Sequence, residues 1–383
     1  MRRLVMGLTL SLIVLLAGCG PSTQAPTPDD SDGVTLLEGM GGTPDPGFAR
    51  AIEAREFIFP EDHGPHPDFA TEWWYFTGNL FTREGQRFGY QLTLFRIGLA
   101  PGEPADDSSW RTNQMYMGHF AVSDVSRETH YQDERFSRAA AGLAGAQADP
   151  LRVWLGPWTI TGEAASTFPL TLRADTDQFG LELLIERGEK AAVLQGDRGL
   201  SQKSAAPGNA SYYYSHTRLP SSGSIRIGSQ HFEVTGNSWF DREWSSSALA
   251  DDQAGWDWFA LQLEDGRDLM FYRMRGTDGQ AQRFSKGVLV GTDGSSRLLR
   301  NTDVNLEPLR HWTSADGRRY PVAWRLTVPE HALDLRVEAT FDDQLMRTAV
   351  SYWEGAVDVQ GSHSGIGYLE MSGYSPGARG EVE

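Results

Sequence analysis

The sequence has 383 residues, a single cysteine and a formal net charge of −17. A negative balance of this size argues against nucleic acid as a partner and against electrostatic attachment to anionic lipid. Because Cys19 is the only cysteine, disulfides, thiolate metal sites and cysteine nucleophiles are excluded from the body of the protein. Stability must therefore come from core burial, for which 12 Trp, 12 Tyr and 18 Phe supply large apolar surfaces.

The first residues have the pattern of a lipoprotein signal peptide. A positive start, Met1-Arg2-Arg3, precedes an apolar stretch from Leu4 to Leu16, and Leu16-Ala17-Gly18-Cys19 resembles a lipobox. The apolar stretch is shorter than the roughly 20 residues of a transmembrane helix. We therefore predict a signal peptide over residues 1–18 and a lipid anchor on Cys19. An ordinary signal peptide with a chance cysteine is the alternative.

The next segment, residues 19–48, is predicted to be a flexible tether. It is rich in Pro, Gly, Ser, Thr and Asp and has no Lys or Arg, so it cannot bury enough apolar area to fold. Gly20 rather than Asp follows Cys19, and similarity to sorted lipoproteins then suggests the outer membrane. The folded body is expected to face the periplasm.

Beyond residue 50 the pattern is that of antiparallel strands. Apolar and polar residues alternate with period two over residues 90–94, 225–234 and 333–338, and turns such as Asp265-Gly266 separate such segments. Helical periodicity is scarce, and Arg135 to Ala144, with its run of Ala, is the best candidate for a short helix. The chain is therefore predicted to be all-β, built as a meander or barrel.

An internal echo bears on the number of domains. The segments Glu72 to Leu80 and Gly255 to Leu263 share Trp, Phe and Leu at a constant offset, and each precedes a glycine turn and another strand. We predict two tandem barrel-like halves, residues 49–200 and residues 201–383. Two unrelated Trp-rich strands are the alternative.

The densest cluster of unusual residues runs from Trp239 to Trp244. Alternation along a strand places Trp239, Asp241 and Glu243 on one face. A carboxyl walled by tryptophans is desolvated, so its pKa rises and it can stay protonated near neutral pH, as a general acid requires. In the structural alternative, Asp241 or Glu243 pairs with Arg242 or another Arg and closes a barrel end.

Tyr212, Tyr214 and His216 form a second cluster that shares one strand face. Their phenols and imidazole can orient a substrate or relay a proton. Alternatively, the strand packs the core, and His216 is hydrogen-bonded to the backbone.

Two other segments suggest chemistry that their details do not support. Glu61 to Asp68 holds two His and three carboxylates, but it is a proline-containing loop without a third nitrogen ligand at a familiar spacing, so no metal site is predicted. Gly361 to Gly365 has His363 where a nucleophile elbow needs Ser, so a serine hydrolase is not expected. Zinc, Walker and dinucleotide motifs are missing from the sequence, and no cofactor is predicted.

Several motifs together resemble the AttH-like branch of the carotenoid 1,2-hydratase (hydroxyneurosporene synthase) superfamily. They are Thr71–Tyr75, Ser211–Arg218, Ser238–Trp244, Tyr352–Val357 and Gly365–Glu370. The resemblance covers nearly all of the chain after the tether. It implies a pair of lipocalin-like antiparallel β-barrels, in agreement with the internal echo.

The resemblance also implies a chemistry. Members with assigned activity add water to an isolated double bond of a carotenoid, or steer cyclisation of a polyene, without a cofactor. A carboxylic acid delivers the proton, and aromatic faces stabilise the carbocation. The proposed acid of the hydratases lies in an aromatic-x-Asp-x-Asn motif, which this chain matches at Asp241 and departs from at Glu243. Their upstream His-x-Trp pair is not reproduced, and its place falls around Tyr212 to His216.

The residues and the resemblance leave three hypotheses for function. Other AttH-like lipoproteins resemble companions of ABC-type export systems, so the first is a lipoprotein that binds an apolar or polyene-like small molecule or lipid. The second is a cofactor-independent hydratase with Asp241, His216 and Glu243 as catalytic residues. The third is a structural partner of a transporter without a ligand. The predicted ligand contacts are Trp73, Tyr212, Tyr214, Trp239, Trp256 and Trp258.

Overall fold

The computed structural model describes residues 45–102, 108–247 and 249–375 of the chain. In this part the structure is β throughout apart from three short 3-10 helices, Glu61–His63, Val125–Arg127 and Pro329–His331. None of the helices in these ranges is long and apolar enough to cross a membrane. The predicted all-β class is confirmed, with two antiparallel sheets that curve as lipocalin-like barrels.

In the first sheet, β1 lies between β2 and β13, and β13 forms a long hairpin with β12. Its hydrogen-bonded order is β4-β3-β2-β1-β13-β12-β9-β8-β7-β6-β5, and β10 and β11 add short pairings to β12. The described strands are β1 (Thr71–Phe81), β2 (Arg87–Gly98), β3 (Gln114–Asp124), β4 (Thr129–Arg138), β5 (Ala144–Gln147), β6 (Arg152–Leu155), β7 (Trp158–Glu163), β8 (Thr167–Asp175), β9 (Phe179–Ile185), β10 (Val193–Leu194), β11 (Leu200–Gln202), β12 (Ala210–Ile227) and β13 (Gln230–Ser245).

The second sheet follows the same plan with fewer strands. Its order is β17-β16-β15-β14-β23-β22-β20-β19-β18, and β21 pairs with β22. The described strands are β14 (Gln253–Leu263), β15 (Asp268–Gly276), β16 (Lys286–Val290), β17 (Ser296–Arg300), β18 (Asn305–Thr313), β19 (Arg319–Val328), β20 (Leu333–Ala339), β21 (Leu345–Met346), β22 (Tyr352–Gly361) and β23 (Gly365–Met371).

The internal echo corresponds to equivalent strands of the two sheets. In each sheet the first strand, β1 or β14, pairs with the strand that follows it and with the last strand of that sheet. The last strand thus returns to the first, which is how an antiparallel meander closes on itself. Strands β12 and β13 belong to the first sheet, so the change of sheet falls between Ser245 and Gln253, downstream of the predicted boundary between residues 200 and 201.

The interiors of both barrels are filled with side chains. In β2, Tyr90, Leu92 and Leu94 point into the first core and are fully buried, as their alternation predicts. In β20, Leu333 and Leu335 point in the same way into the second core. Close packing of this kind stabilises each barrel and fills its interior. A ligand must therefore bind outside the two cores.

The predicted short helix between Arg135 and Ala144 is wrong. Residues up to Arg138 pair with β3 as strand β4, and a new strand begins at Ala144. Between them, Ala141 and Gly142 have φ values of 50° and 74°. Left-handed backbone of this kind ends a helix, and the alanines form a turn between two strands.

The predictions for the amino terminus concern residues outside the described ranges. The signal peptide over residues 1–18, lipidation of Cys19 and nearly all of the tether stay predictions. At the start of the described chain, Phe48 is buried and would meet any side chain placed at Gly98, the last residue of β2. The folded body therefore begins within the last residues of the predicted tether.

Candidate functional site between the barrels

A cavity of about 110 Å³ lies between the two barrels and outside both of their cores. One water needs roughly 10–15 Å³ of such space, so the cavity has room for a small molecule. The walls come from the outward faces of both sheets and are mainly aromatic. The lining side chains are Thr71, Trp73, Tyr75, Thr93, Phe95, Lys203, Ser211, Tyr213, Asp241, Glu243, Ser245, Ser247, Leu249, Trp256, Trp258, Tyr272, Met274, Tyr352 and Glu370.

Strands β1 and β14, which contain the two segments of the internal echo, contribute side chains at corresponding positions to the two walls of the cavity. Trp73 and Tyr75 project from β1, and Trp256 and Trp258 project from β14, the corresponding positions of the echo. Tyr75 and Trp258 meet edge to face, with ring centroids 5.3 Å apart. Side chains alternate along each strand, so the neighbours of these aromatics point into the barrel cores while the aromatics meet between the barrels.

Strand β13 places its carboxyls on this outward face. Asp241 lies opposite Tyr75 on one side and Ser215 on the other, while Glu243 lies opposite Trp73 and Tyr213. Residues directly opposite in an antiparallel pair share a face. The prediction that Asp241 and Glu243 share a face is therefore confirmed.

Asp241 is buried and bound by neutral donors alone. Its Oδ1 accepts from Ser215 Oγ at 2.5 Å and from Trp239 Nε1 at 2.7 Å, and its Oδ2 accepts from Tyr213 Oη at 2.6 Å. No Lys or Arg of the described residues forms an ion pair with it. Burial raises the pKa of Asp241 to about 7, although the three donors favour the charged form. This carboxyl can therefore gain and lose a proton near neutral pH.

Glu243 has a different partner from its neighbour on the strand. Lys203 Nζ lies 3.0 Å from Glu243 Oε1 and sits over the ring of Tyr272, 4.4 Å from its centroid. Burial lowers the pKa of Lys203, but the Glu243 carboxylate and the Tyr272 phenol together outweigh it and the net direction is upward. Glu243 thus has the ion pair of the structural alternative, with Lys203 as its partner instead of Arg242.

The second barrel adds two further carboxyls. Glu370 of β23 lines the cavity, and its Oε1 accepts from Trp256 Nε1 at 2.7 Å. Glu354 of β22 lies beside it, fully buried, and accepts a hydrogen bond from Tyr75 of the first barrel. Burial raises the pKa of Glu370 to about 7 and that of Glu354 well above its ordinary value. A carboxyl that titrates near neutral pH therefore stands on each wall.

Tyr212, Tyr214 and His216 lie on the opposite face of β12, in the core of the first barrel. Tyr214 Oη is 2.6 Å from His63 Nδ1, and His216 stacks on Phe240. Burial lowers the pKa of His216 to about 4, so the ring is neutral. The three side chains do share a face, as predicted, but the structure does not bring them to the cavity.

Among the tyrosines of this segment, Tyr213 lines the cavity. It was not among the predicted site residues. Its Oη donates to Asp241 and accepts from Trp258 Nε1 at 3.1 Å, which links the two barrels. Lys203, Glu354 and Glu370 were also missed as site residues. Along β12, Tyr213 and Ser215 alternate with the predicted residues Tyr212, Tyr214 and His216. This alternation is the sequence feature that could have identified Tyr213 and Ser215 as site residues. Glu354 and Glu370 lie in two of the motifs that carry the family resemblance, Tyr352–Val357 and Gly365–Glu370, and those motifs were the signal for them. Lys203 lies outside all of these motifs.

The four tryptophans among the predicted ligand contacts lie at the cavity or directly beside it. Trp73, Trp256 and Trp258 line it, and Trp239 packs edge to face on Trp258 with ring centroids 6.2 Å apart while it donates to Asp241. Together these rings provide apolar faces around a polar centre.

The histidine-rich loop, Glu61 to Asp68, packs against the first barrel. His66 lies between Asp62 and Glu72, and its ring stacks on Trp244 at a centroid distance of 3.7 Å. No group of three or more His, Cys, Asp or Glu residues suited to a metal ion occurs in the part of the chain that the structure describes. His363 lies in the exposed hairpin between β22 and β23, beside Arg267.

Comparison with known proteins gives a family match and a set of structural neighbours. The family model described as AttH-like matches residues 50–374. The crystal structure of an AttH protein from Nitrosomonas europaea is 33% identical with a TM-score of 0.76, covering 85% of this chain and 100% of that one. No curated protein sequence matches the chain.

More distant structures share the fold. Kievitone hydratase from Nectria haematococca is 14% identical with a TM-score of 0.64, covering 86% of this chain and 98% of that one. CghA, crystallised with Sch210972, is also 14% identical, with a TM-score of 0.51 and coverage of 88% and 98%. At this identity the likeness concerns the arrangement of the two barrels, and residue roles must be argued from this chain's own geometry.

Proposed function

We propose, from the premise that this chain belongs to the AttH-like family, that it is a cofactor-independent acid–base catalyst of the hydro-lyase type. In this proposal the cavity between the barrels binds an apolar small molecule or polyene. Asp241 then protonates an isolated double bond of that molecule, and water adds to the cation. The fold relation to a hydratase agrees with this chemistry.

The observation that carries the proposal is the environment of Asp241. A buried carboxylate is normally held by Arg or Lys, which keep it charged. Asp241 has Ser, Tyr and Trp donors instead and no cation within ion-pair distance among the described residues. Its pKa of about 7 makes the protonated form available near neutral pH.

The walls suit the cation that such a protonation forms. Protonation of an alkene leaves a positive carbon, which the faces of Trp and Tyr stabilise and which bulk water would quench. Trp73, Trp256 and Trp258 surround the space in front of Asp241. The fixed donors on Asp241 stabilise its carboxylate after the proton has left, so they act on the transition state.

The experiment uses the full chain, purified in detergent, with two alkene probes, geraniol and a prenylated phenol, and with an apolar extract of bacterial membranes. Hydration in ¹⁸O-labelled water or D₂O labels the product, which mass spectrometry detects. Asp241→Asn is expected to lower product formation about 10²–10⁴-fold, the usual contribution of a general acid. The control, Asp334→Asn, makes the same change at an exposed position of β20.

Two results would contradict the catalytic proposal. One is the absence of labelled product from all the probes and the extract. The other is product formation that Asp241→Asn leaves unchanged.

Binding without turnover is the second candidate function. The lipobox-like sequence before Cys19 favours it, because it relates the chain to AttH-like lipoproteins that resemble companions of ABC-type exporters. Recovery of a retained compound in unchanged form from the same incubations would support it. The location is part of this candidate: a lipid anchor on Cys19 would hold the barrels at the outer membrane, facing the periplasm, and labelling with radioactive palmitate tests the anchor.

A further inference from the structure

Two carboxyls on the wall opposite Asp241 stand side by side. Glu354 and Glu370 are direct partners in the pairing of β22 with β23, and Trp258 is the direct partner of Glu370 in the pairing of β14 with β23. Side chains directly opposite in an antiparallel pair have Cβ atoms about 4.5–5.5 Å apart and point to the same face. The three side chains therefore form a row across three strands.

Neither carboxyl of this row has a cationic partner among the described residues. The donor to Glu370 is Trp256, the donor to Glu354 is Tyr75, and the Tyr352 phenol also interacts with the Glu354 carboxyl. Glu354 Oε2 is buried without a hydrogen-bond partner in this part of the chain. Two buried carboxyls at this separation do not both ionise, because like charges repel strongly where no cation or water compensates them. One proton shared by the pair satisfies the geometry.

We propose that Glu370 is a second catalytic residue of the cavity and that Glu354 is a positioning residue that holds the proton of the pair. In this assignment, which rests on the proposed function, Glu354 is protonated on Oε2. Glu370 is then a carboxylate that faces the cavity with Trp256 as its donor. It takes the proton that the attacking water must lose.

The steps balance in atoms and charge. The proton of Asp241 forms a C–H bond with the electron pair of the double bond, leaving the aspartate ionised and the neighbouring carbon positive. The oxygen of a water molecule bonds to that carbon, and one of its protons passes to the Glu370 carboxylate. Alkene and water become an alcohol. The proton then returns from Glu370 to Asp241 through cavity water, which restores both groups.

The opposite placement of the two groups has a physical consequence. Asp241 belongs to the first barrel and Glu370 to the second, so proton donor and acceptor stand on different walls of a cavity that aromatic rings also line. Glu243 does not compete for the role of acceptor, because Lys203 binds it. The titratable groups around Glu370 are Asp241, Glu243 with its Lys203, and Glu354 with the phenols of Tyr75 and Tyr352.

The first test separates the two halves of the reaction. Deuterium from D₂O that appears in recovered alkene reports proton transfer from Asp241, whereas ¹⁸O in the alcohol reports the addition of water. Glu370→Gln keeps an oxygen for Trp256 and is expected to lower alcohol formation about 10²–10⁴-fold. Deuterium exchange is expected to stay within tenfold of the wild type. A purely structural role would lower both signals alike, and unchanged alcohol formation would overturn the assignment.

The second test does not need a substrate. Infrared spectroscopy in the Asp241→Asn background at pH 8 is expected to show the carbonyl band of a protonated carboxyl. Glu354→Gln should remove this band, and Glu370→Gln should keep it. Glu338→Gln on β20, outside the cavity, is the control. A spectrum in which Glu354→Gln changes nothing would overturn the shared proton.

The two proposals fail in different ways. A wild-type protein that converts no probe contradicts the proposed function and the catalytic role of Glu370 together, while the infrared result still decides whether the pair shares a proton. A wild-type protein that hydrates a probe, with Asp241→Asn inactive and Glu370→Gln fully active, contradicts the assignment of Glu370 alone.

Discussion

The two faces of strand β13 bury charged groups in opposite ways. On the inner face, Arg242 and Arg96 bind Glu72, and all three side chains are almost completely buried. On the outer face, Asp241 is equally buried but has only neutral donors. The same strand therefore carries an ion-pair network toward the first barrel and an uncompensated carboxyl toward the cavity.

The partner determines what burial does to a carboxyl. Burial by itself raises the pKa of Glu72, but Arg96 and Arg242 outweigh it and hold that pKa well below the ordinary range. Asp241 has no such cation, so burial prevails and its pKa rises to about 7. A group that stays charged at every relevant pH serves structure, whereas one that titrates near neutrality can transfer a proton.

Breaking the inner network should have the largest effect on stability. Arg242→Met removes one cation from the fully buried Glu72, and breaking a buried pair in this way costs about 3–5 kcal/mol. Urea denaturation followed by tryptophan fluorescence measures the loss. Arg325→Met, which breaks an exposed pair with Asp334, is the control and should leave the free energy of unfolding nearly unchanged, because solvent screens exposed pairs. A loss for Arg242→Met as small as that of the control would contradict the comparison.

The outer face predicts a pH dependence of the opposite sign to that of an ordinary buried ion pair. Asp241 has a raised pKa in the folded state, so its contribution to stability is present below about pH 4 and is lost as the pH rises through about 7. A tenfold change in proton affinity is worth about 1.4 kcal/mol, and the loss is therefore at most about 4 kcal/mol.

Asp241→Asn tests this dependence, because it removes the titrating group and keeps its size. The free energy of unfolding, measured between pH 5 and pH 8, should fall less in the variant than in the wild type. Glu370 titrates in the same direction, so some fall should remain in the variant. Parallel profiles for the two proteins would show that Asp241 does not carry the effect.

The contrast between the faces also explains what could be predicted from the sequence. Alternation within one strand put Asp241, Glu243 and Trp239 on one side, and the internal echo related Trp73 to Trp256. These are local signals with a period of two residues or a constant offset. The matching faces of β12 needed the register between strands, since Ser215 and Asp241 are opposite each other only after the long hairpin has formed. The prediction placed the site on the opposite face of β12 and therefore selected Tyr212 and Tyr214.

The composition of the second wall depended on pairing between distant strands for the same reason. Glu370 lies more than a hundred residues after Asp241 and lines the cavity only when β23 pairs with β14, and Glu354 is its direct partner on β22. Similarly, β13 pairs with β1, which lies far earlier in the chain, and β12 joins the first sheet through its pairing with β13. Long-range pairing thus decided which residues became the site.

Adjacent tyrosines on the two faces of β12 offer a matched pair of variants. Tyr213→Phe removes a hydrogen bond to the Asp241 carboxylate, worth about 1.5–3 kcal/mol for a charged acceptor. The pKa of Asp241 should rise further, and the pH profile of turnover should move upward with it. Tyr214→Phe removes the partner of His63 and should lower stability by about 1–3 kcal/mol without moving the profile. Equal shifts in both variants would contradict the separation of the faces.

The smallest expected effect comes from His216, which the hydratase hypothesis made a catalytic partner of Asp241. Its Nε2 is buried without a partner among the described residues, and its ring lies between Phe240 and Phe168. Replacing an unsatisfied buried polar group by an apolar one of similar shape removes its desolvation cost. His216→Phe should therefore raise the free energy of unfolding by about 1 kcal/mol.

Turnover in His216→Phe should stay within about twofold of the wild type, because general acid–base catalysis needs a group within hydrogen-bond reach of the reacting atoms and β12 itself separates this ring from the cavity. The same labelled-water assay measures it, with denaturation as the check on folding. A loss of turnover of tenfold or more in a folded variant would mean that the inner face contributes to the chemistry. The division of labour between the two faces would then be wrong.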